Sequence, residues 1–261
     1  MSIKAKKSLG QNFLHHQGTL HKIVESANLN KEDYVIEIGS GKGILTKALA
    51  EKAKHVTTIE LDDRLIPLLK EQFKNENKIT ILHQDALTFS PPKNPYKIIA
   101  NIPYYITSPL LNHFLKEQPP ENRPTHITFL VQKEVAEKIC TKPGKLNVLA
   151  LQVQIFGKPK IIAKIPATHF HPSPKVESAI LVIEIYSEPL IPEKDIATFF
   201  KIMYAGFCHK RKKLTNNLKS INGLTTEKIK GVFTELNLSE NTRAQELTIE
   251  QWENLINLIT R

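Results

Sequence analysis

The sequence predicts an α/β fold, with a Rossmann-like open parallel sheet followed by a small all-helical segment. Four short apolar runs recur at intervals in the first hundred residues, with helical patterns between them. Each run ends at a glycine or a polar residue, as ligand-binding strands do in open α/β sheets. Beyond the linker prolines Pro189 and Pro192, apolar residues keep helical spacing only. We therefore expect a sheet domain over residues 1–187 and a helical domain over 188–261.

The chain begins with a basic and then polar stretch, residues 4–14, which predicts an irregular arm. Phe13 and Leu14 are its apolar anchors. Such an arm can contact phosphate and cover a ligand, although a frayed terminus is the plainer alternative. Apolar residues from Leu20 to Ala27 then follow helical spacing, and Asn28 is expected to end that helix.

The first strand, Tyr34–Ile38, runs into a glycine loop at Gly39–Gly43, and a helix follows over Ile44–Ala50. A strand, a glycine loop and a helix in this order let the backbone approach a ligand at the positive end of the helix. The spacing is Gly-x-Gly-x-Gly, which differs from both the dinucleotide and the phosphate-loop patterns. The loop alone is therefore a weak signal.

The next two strands each end near an acid. His55–Ile59 is followed by Glu60, about 20 residues beyond the glycine loop, a position that suits ribose hydroxyls. Ile79–His83 is followed by Asp85, which is suited to accept a hydrogen bond from an adenine amine. The structural alternatives are a helix N-terminal acid for Glu60 and a turn aspartate for Asp85.

The fourth apolar run, Lys97–Ala100, leads into Asn101, Pro103 and Tyr104. An amide oxygen beside a flat ring suits the exocyclic amine of a planar base, and both groups are neutral. An ordinary strand-end turn with a core tyrosine is the alternative. Four successive strands that each end in a polar or glycine feature favour a ligand site at this edge of the sheet.

The net charge and the cysteine content of the chain indicate what kind of partner and which cellular compartment to expect. The chain has 261 residues and a formal net charge of +10, which favours a polyanionic partner, although a merely soluble basic protein is the plainer alternative. Its two cysteines, Cys140 and Cys208, form no CxxC pattern and suit a reducing cytoplasm. No zinc-ligand spacing, signal peptide or membrane-spanning run is found in the sequence. We expect a cytoplasmic protein that needs neither a metal nor a membrane.

The remaining elements complete the sheet and the helices. Helices are predicted over Ser108–Leu115 and Lys133–Cys140, and strands over His126–Val131 and Ser178–Ile185, the last closing the sheet. Residues 201–220 hold six Lys or Arg and no acid. That segment is either a solvated helix face or a phosphate-binding patch.

Several motifs together resemble a known family. The glycine loop, Glu60, Asp85 and the Asn-Ile-Pro-Tyr stretch are similar to class I S-adenosylmethionine-dependent methyltransferases of the adenine-N6 branch. Further motifs resemble those of the ribosomal RNA adenine dimethylases, with Leu9 standing where the family usually has Phe. These motifs are Lys7–Leu14, Gly144–Asn147, Phe170–Ser178, Ala205–Leu218 and Arg243–Leu247.

The resemblance implies dimethylation of N6 on two adjacent adenosines near the 3′ end of small-subunit ribosomal RNA, by a monomer acting on an immature subunit. It implies S-adenosylmethionine as the methyl donor. The implied donor-site residues are Gln11, Asn12, Leu14, Gly39, Gly41, Glu60, Leu61, Asp85, Ala86 and Asn101. The implied catalytic residues are Asn101, Ile102, Pro103, Tyr104 and Phe170. The implied RNA-binding residues are Lys7, Lys145, Lys210, Arg211, Lys212 and Lys213.

The expected catalysis is positional, because the lone pair of the adenine amine is delocalised into the ring. The Asn101 side-chain oxygen and the Ile102 carbonyl would accept the two N6 hydrogens and turn the lone pair toward the methyl group. Tyr104 and Phe170 would stack on the extruded base. This scheme uses no metal and no general base.

Three other functions fit parts of the sequence. A large-subunit methylase that confers antibiotic resistance would share the donor site and the Asn-Ile-Pro-Tyr motif, but the end of this chain matches the small-subunit enzymes better. A non-catalytic ribosome-assembly or transcription factor would not need Asn101 and Tyr104. A small-molecule methyltransferase would not need the basic arm and the basic segment.

Overall fold

The chain forms a seven-stranded sheet and a separate two-stranded ribbon. The computed structural model describes residues 4–260, apart from the side chain of Lys7. In chain order the strands are β1 (Phe13–Leu14), β2 (Tyr34–Ile38), β3 (His55–Glu60), β4 (Ile79–His83), β5 (Lys97–Asn101), β6 (His126–Gln132), β7 (Gly157–Ile165), β8 (Phe170–His171) and β9 (Ser178–Ile185).

The strand order in the large sheet is β4-β3-β2-β5-β6-β9-β7. Strands β2 to β6 run parallel to their neighbours, and β9 runs antiparallel to β6. The order reverses between β2 and β5, and an open α/β sheet holds its ligand crevice at such a point, outside the carboxyl ends of the strands. The ribbon pairs β1 with β8 in antiparallel fashion.

The helices that flank the sheet are short, and the longer ones lie near the end of the chain. They are α1 (Gln17–Ser26), α2 (Ile44–Ala50), α3 (Ile66–Gln72), α4 (Thr107–Leu111), α5 (Lys133–Ile139), α6 (Val148–Gln154), α7 (Ile196–Phe207), α8 (Leu214–Leu218), α9 (Thr226–Glu235) and α10 (Ile249–Thr260). Helix α4 continues as a π-helical turn over Asn112–Glu117. The α/β class and the helical end of the chain were both predicted correctly.

The central strands are almost wholly apolar because helices cover both faces of the parallel part of the sheet. In β5, Ile98, Ile99 and Ala100 are fully buried. The arm contributes to the same core, since Leu14 packs in one cluster with Leu20 and other buried residues. The first strands are thereby held rigidly, which fixes the residues at their carboxyl ends.

Some elements differ from the sequence prediction. The helix expected over Ser108–Leu115 is split between α4 and the π-helical turn. The edge strand β7 was missed, although its side chains alternate between exposed and less exposed along its length. The ribbon was missed as well, because a two-residue strand carries no periodic signal.

The chain divides into two compact units that are not contiguous in sequence. The sheet unit runs to Glu137 and resumes over Lys158–Ile185, and the helical unit comprises Lys138–Gly157 and the chain from Tyr186 onward. The expected division between residues 187 and 188 is therefore wrong for residues 138–157. Those residues join the helical unit through contacts such as Gln152 with the Tyr204 hydroxyl, 2.7 Å apart.

Candidate active site

A cavity of about 220 Å³ opens at the carboxyl ends of β2 to β5. All ten residues expected to bind the donor line it, and so do Ile102, Pro103 and Tyr104. They come from the arm and from four strand ends, so residues more than 80 positions apart in the chain, such as Gln11 and Asn101, share one wall. The cavity is also lined by residues that the sequence analysis did not assign to the donor site or to catalysis, among them Gly10, Phe13 and Tyr105.

The glycine loop brings bare backbone to the cavity. Gly39 and Gly41 have φ values of +77° and +55°, a region that glycine adopts at low cost. A Cβ at Gly41 would lie 3.2 Å from the Phe13 ring, so a larger residue would push the arm away. The Gly39 amide donates to the Ile59 carbonyl at 2.8 Å, which joins the loop to β3.

Glu60, at the end of β3, holds this loop in place. Its carboxylate accepts hydrogen bonds from the backbone amides of Gly41, Leu61 and Asp62 at 2.9 to 3.0 Å. Burial raises the pKa of Glu60, and the three amides oppose that rise. Because a carboxylate has about four lone-pair sites, it retains room for a further donor such as a hydroxyl.

Glu37, which the sequence did not mark as a site residue, is fully buried in β2. The hydroxyls of Thr46 and Thr58 both donate to its Oε2, at 2.5 and 2.7 Å, and Ser40 of the glycine loop bonds to Thr58. Its Oε1 has no hydrogen-bond partner in the described structure. Desolvation outweighs the two hydroxyls and raises the pKa of Glu37 to about 7.

The arm is fastened to the segment after β3 by Asp62. The Gln11 amide donates to Asp62 at 2.8 Å, and Arg64 forms a two-point ion pair with the same carboxylate at 2.6 and 2.8 Å. The Arg64 guanidinium and the Gln11 amide hold the pKa of Asp62 well below its usual range. Lys42 adds a cation–π contact to the Phe13 ring, 5.1 Å from its centroid. The arm is thus ordered along the cavity.

Asn101 ends β5 and faces the arm. Its Nδ2 donates to the Asn12 carbonyl at 3.3 Å. Within the described residues, its Oδ1 receives no hydrogen bond and remains an acceptor for a ligand. Asp85 is similar: one oxygen accepts from the Leu87 amide at 2.9 Å, and the exposed carboxylate keeps its other oxygen available.

Tyr104 and Phe170, the two rings expected to stack on a base, lie in different environments. Tyr104 lines the cavity, is half-buried and bonds through its hydroxyl to Ser178 at 2.7 Å. Burial raises its pKa. Phe170 is only 3% exposed and packs in the core with Leu14 and Leu20. The structure does not bring Phe170 to the cavity, because pairing of β8 with β1 turns its ring into the core.

The basic residues expected to bind RNA belong to the helical unit, except for Lys7, whose side chain lies outside the described residues. Lys210 to Lys213 are exposed between α7 and α8, and Lys145 is exposed before α6. Buried Asn217 donates to the carbonyls of Gly206 and His209 at 2.6 and 3.1 Å, and so fixes the base of this loop. The four cationic side chains are therefore displayed on an ordered turn.

The described part of the chain contains neither a metal-binding cluster nor a membrane-spanning helix. Across residues 4–260, no group of three His, Cys, Asp or Glu side chains is arranged to hold a metal ion. None of the helices within that range has both the length and the apolar character needed to cross a membrane.

Known proteins resemble this chain along nearly its whole length. The model of a family described as ribosomal RNA adenine dimethylase matches residues 2–261. A Clostridium botulinum protein named ribosomal RNA small subunit methyltransferase A is 40% identical, with 98% of this chain and 94% of the relative covered. A protein of the same name from Dehalococcoides mccartyi is 38% identical, with 97% and 88% covered.

Solved structures give the same fold. A dimethyladenosine transferase from Plasmodium falciparum superposes with a TM-score of 0.78 and 26% identity, covering 93% of this chain and 95% of that one. The 23S rRNA methyltransferase ErmE superposes with a TM-score of 0.77 and 26% identity, covering 96% and 100%. The fold of this chain is thus shared with both proteins over more than nine-tenths of its length.

Proposed function

Because this chain belongs to the ribosomal RNA adenine dimethylase family, we propose that it dimethylates N6 of two adjacent adenosines near the 3′ end of small-subunit ribosomal RNA. The chain is a ribosomal RNA methyltransferase of class I fold. The small subunit is favoured because the relatives at 38% and 40% identity carry that substrate in their names. We further propose that the protein acts as a cytoplasmic monomer on an immature subunit.

The cavity fits S-adenosylmethionine, which supplies a methyl group on a positively charged sulfur. A carboxylate with a spare lone pair at Glu60 suits the ribose hydroxyls, and Asp85 suits the adenine amine. The glycines of the loop add no side chain of their own to the cavity. Gln11, Asn12 and Leu14 would close the cavity from the arm, while Leu61 and Ala86 would supply apolar walls.

The proposed function rests chiefly on Asn101. Its amide nitrogen is already bonded to the Asn12 carbonyl, so its oxygen is oriented as an acceptor. An acceptor at the end of β5 can take one N6 hydrogen of an adenine, and the Ile102 carbonyl is proposed to take the other. The two bonds would direct the nitrogen lone pair toward the methyl group, which is catalysis by orientation.

Tyr104 is proposed as the platform for the extruded adenine. Its ring lines the cavity one residue beyond Pro103, which restricts the backbone there. Stacking of a base on an aromatic ring contributes roughly 1–3 kcal/mol and offsets part of the cost of extruding the base. Phe170 acts indirectly in this scheme, since it packs under the arm.

RNA affinity is assigned to the basic residues of the helical unit. Lys210, Arg211, Lys212 and Lys213 form a local concentration of charge on an ordered turn, and Lys145 adds one more cation in the same unit. Lys and Arg side chains of this kind bind backbone phosphates, and the resulting RNA affinity falls as the salt concentration rises. Lys7 is proposed to add a phosphate contact from the arm.

A second candidate is methylation of large-subunit RNA, which the likeness to ErmE favours. Identity to that protein is 26%, against 38% and 40% for the small-subunit relatives, so we rank it second. A non-catalytic ribosome-assembly factor is a further alternative. It would have no use for the Asn101 amide and the Tyr104 ring at the cavity.

The test is methyl transfer from labelled donor to immature small subunits and, in parallel, to large-subunit RNA. Asn101→Ala should lower the transfer rate by roughly a hundredfold, as loss of one preorganised hydrogen bond does elsewhere. Subunit binding, measured by sedimentation, should stay close to wild type because phosphate contacts dominate affinity. Asn241→Ala, at an exposed asparagine of the helical unit, is the matched control and should be fully active.

Each outcome separates two functions. A normal rate for Asn101→Ala would refute the orienting role of that side chain. Transfer to large-subunit RNA alone would replace the small-subunit assignment with the second candidate. Binding without transfer by the wild-type protein on either RNA would favour the non-catalytic factor.

A further inference from the structure

The hydroxyl groups of Tyr104 and Ser178 lie 2.7 Å apart, and either can donate to the other. We propose that Ser178 is a positioning residue for methyl transfer, which fixes the direction of the Tyr104 ring axis through this bond. The inference rests on the proposed function, because it concerns the ring on which the target adenine would stack. It adds a residue that lies 74 positions further along the chain, at the start of β9.

Ser178 is a rigid point of attachment. It is the first residue of β9 and is completely buried, and its partner across the sheet is Gln132 of β6. The preceding residue is fixed as well, because the Glu177 carbonyl accepts from the Lys133 amide at 3.0 Å and its carboxylate pairs with the Lys133 ammonium at 2.8 Å. The serine hydroxyl therefore has a position set by the sheet.

Tyr104 is held at its backbone by local contacts. Pro103 adopts φ −56°, and the Thr107 hydroxyl donates to the Tyr104 carbonyl at 3.2 Å. These contacts fix the backbone at the start of the side chain and leave the direction of the ring to the first side-chain torsion, which has three staggered wells. The Tyr104 oxygen lies on the long axis of the ring, so the bond to Ser178 fixes where that axis points and selects one of those wells.

The direction of the ring matters because the proposed catalysis depends on orientation. An adenine stacked on a displaced ring would present its amine to Asn101 at a wrong position, and positional catalysis is sensitive to small displacements. The bond to Ser178 is a single neutral hydrogen bond. Its loss should lower the rate of methyl transfer by roughly 3- to 10-fold, less than the loss of Asn101 itself.

The experiment is a double-mutant cycle on the rate of methyl transfer at saturating donor and RNA. Ser178→Ala and Tyr104→Phe each remove the same bond and should slow transfer by the same factor. The double variant should be no slower than either single variant, because the interaction can be lost only once. Ser26→Ala is the control, since that exposed hydroxyl bonds only to the Lys22 carbonyl of its own helix.

Two further measurements separate positioning from a general packing defect. Donor affinity, measured by calorimetry, should be unchanged in Ser178→Ala, since Ser178 does not line the cavity. RNA with 2-aminopurine at the target position should show a changed fluorescence when the base stacks on Tyr104, and this signal should shrink in both single variants.

A wild-type rate for Ser178→Ala, or a double variant as slow as the two effects multiplied, would overturn the inference. If Ser178→Ala does not fold, Tyr104→Phe removes the bond from the half-buried partner, and a normal rate there overturns it equally. Loss of transfer in Asn101→Ala with no change in Ser178→Ala refutes this inference alone. A wild-type protein that methylates no ribosomal RNA refutes the proposed function and this inference together.

Discussion

Replacing Glu37 with glutamine should remove a large part of the pH dependence of stability between about pH 4.5 and 7. The carboxyl is fully buried, and desolvation raises its pKa from 4.5 to about 7. A folded-state pKa above the unfolded value means that the native protein binds the extra proton. The contribution of this group to the free energy of unfolding is fully present below pH 4.5 and is lost as the pH rises through about 7.

The magnitude follows from the shift of about 2.5 pKa units. At roughly 1.4 kcal/mol per unit, ionising Glu37 costs the native state about 3 kcal/mol at neutral pH. The glutamine oxygen keeps an acceptor for Thr46 and Thr58. Its amide nitrogen takes the place of the unpartnered Oε1, and that cost is the same at every pH.

The assay is urea unfolding of both proteins at about pH 5 and about pH 8, with the two free energies subtracted at each pH. Relative to wild type, the free energy of unfolding of Glu37→Gln should rise by about 2.5 kcal/mol from about pH 5 to about pH 8, since at the lower pH the unfolded carboxyl is already mostly ionised. Glu184→Gln, at an exposed glutamate of β9, is the matched control for loss of a strand carboxylate. A difference between Glu37→Gln and wild type that is the same at both pH values would refute the reasoning.

Two further predictions concern the donor and the RNA. Glu60→Gln should weaken S-adenosylmethionine binding by roughly 10- to 100-fold in calorimetry, because its NH₂ group would face backbone amides that need an acceptor. An unchanged dissociation constant would exclude Glu60 as a donor-binding residue. In the wild type, donor affinity should fall as the pH drops through the raised pKa of Glu60, because protonation removes the charged acceptor. Replacing Lys210, Arg211 and Lys212 with alanine should flatten the salt dependence of RNA affinity, and if both slope and affinity stay constant the segment is only a solvated surface.

The strand ends were predictable because they obey a simple geometric rule. Parallel strands point their carboxyl ends to one edge of the sheet, so a polar residue after each apolar run is enough to assemble a site. Glu60, Asp85 and Asn101 line one cavity for that reason. Their roles as ligand contacts stay predictions until binding and transfer are measured.

The supporting side chains were not predictable from local pattern. Asp62 binds Gln11 from 51 positions away, and Ser178 binds Tyr104 from 74 positions away. Pairs at such separations depend on strand order and side-chain direction, which no short stretch contains. Phe170 shows the same limit, since its motif suggested a stacking ring and the ribbon with β1 buries it instead.

The helical unit is built from two separate stretches of the chain, and this limits where the chain can be cut and when the unit can fold during synthesis. The backbone passes between the two units three times, after Glu137, Gly157 and Ile185. A chain that stops near residue 187 keeps α6 but lacks α7, so the buried face formed by Ala150, Leu151 and Val153 loses its covering. During synthesis on a ribosome, this face of α6 stays uncovered until α7, some fifty residues later in the chain, has been made. A cut near residue 187 therefore leaves α6 on the first fragment with its apolar face exposed. The second fragment is an incomplete helical unit, because it lacks residues 138–157.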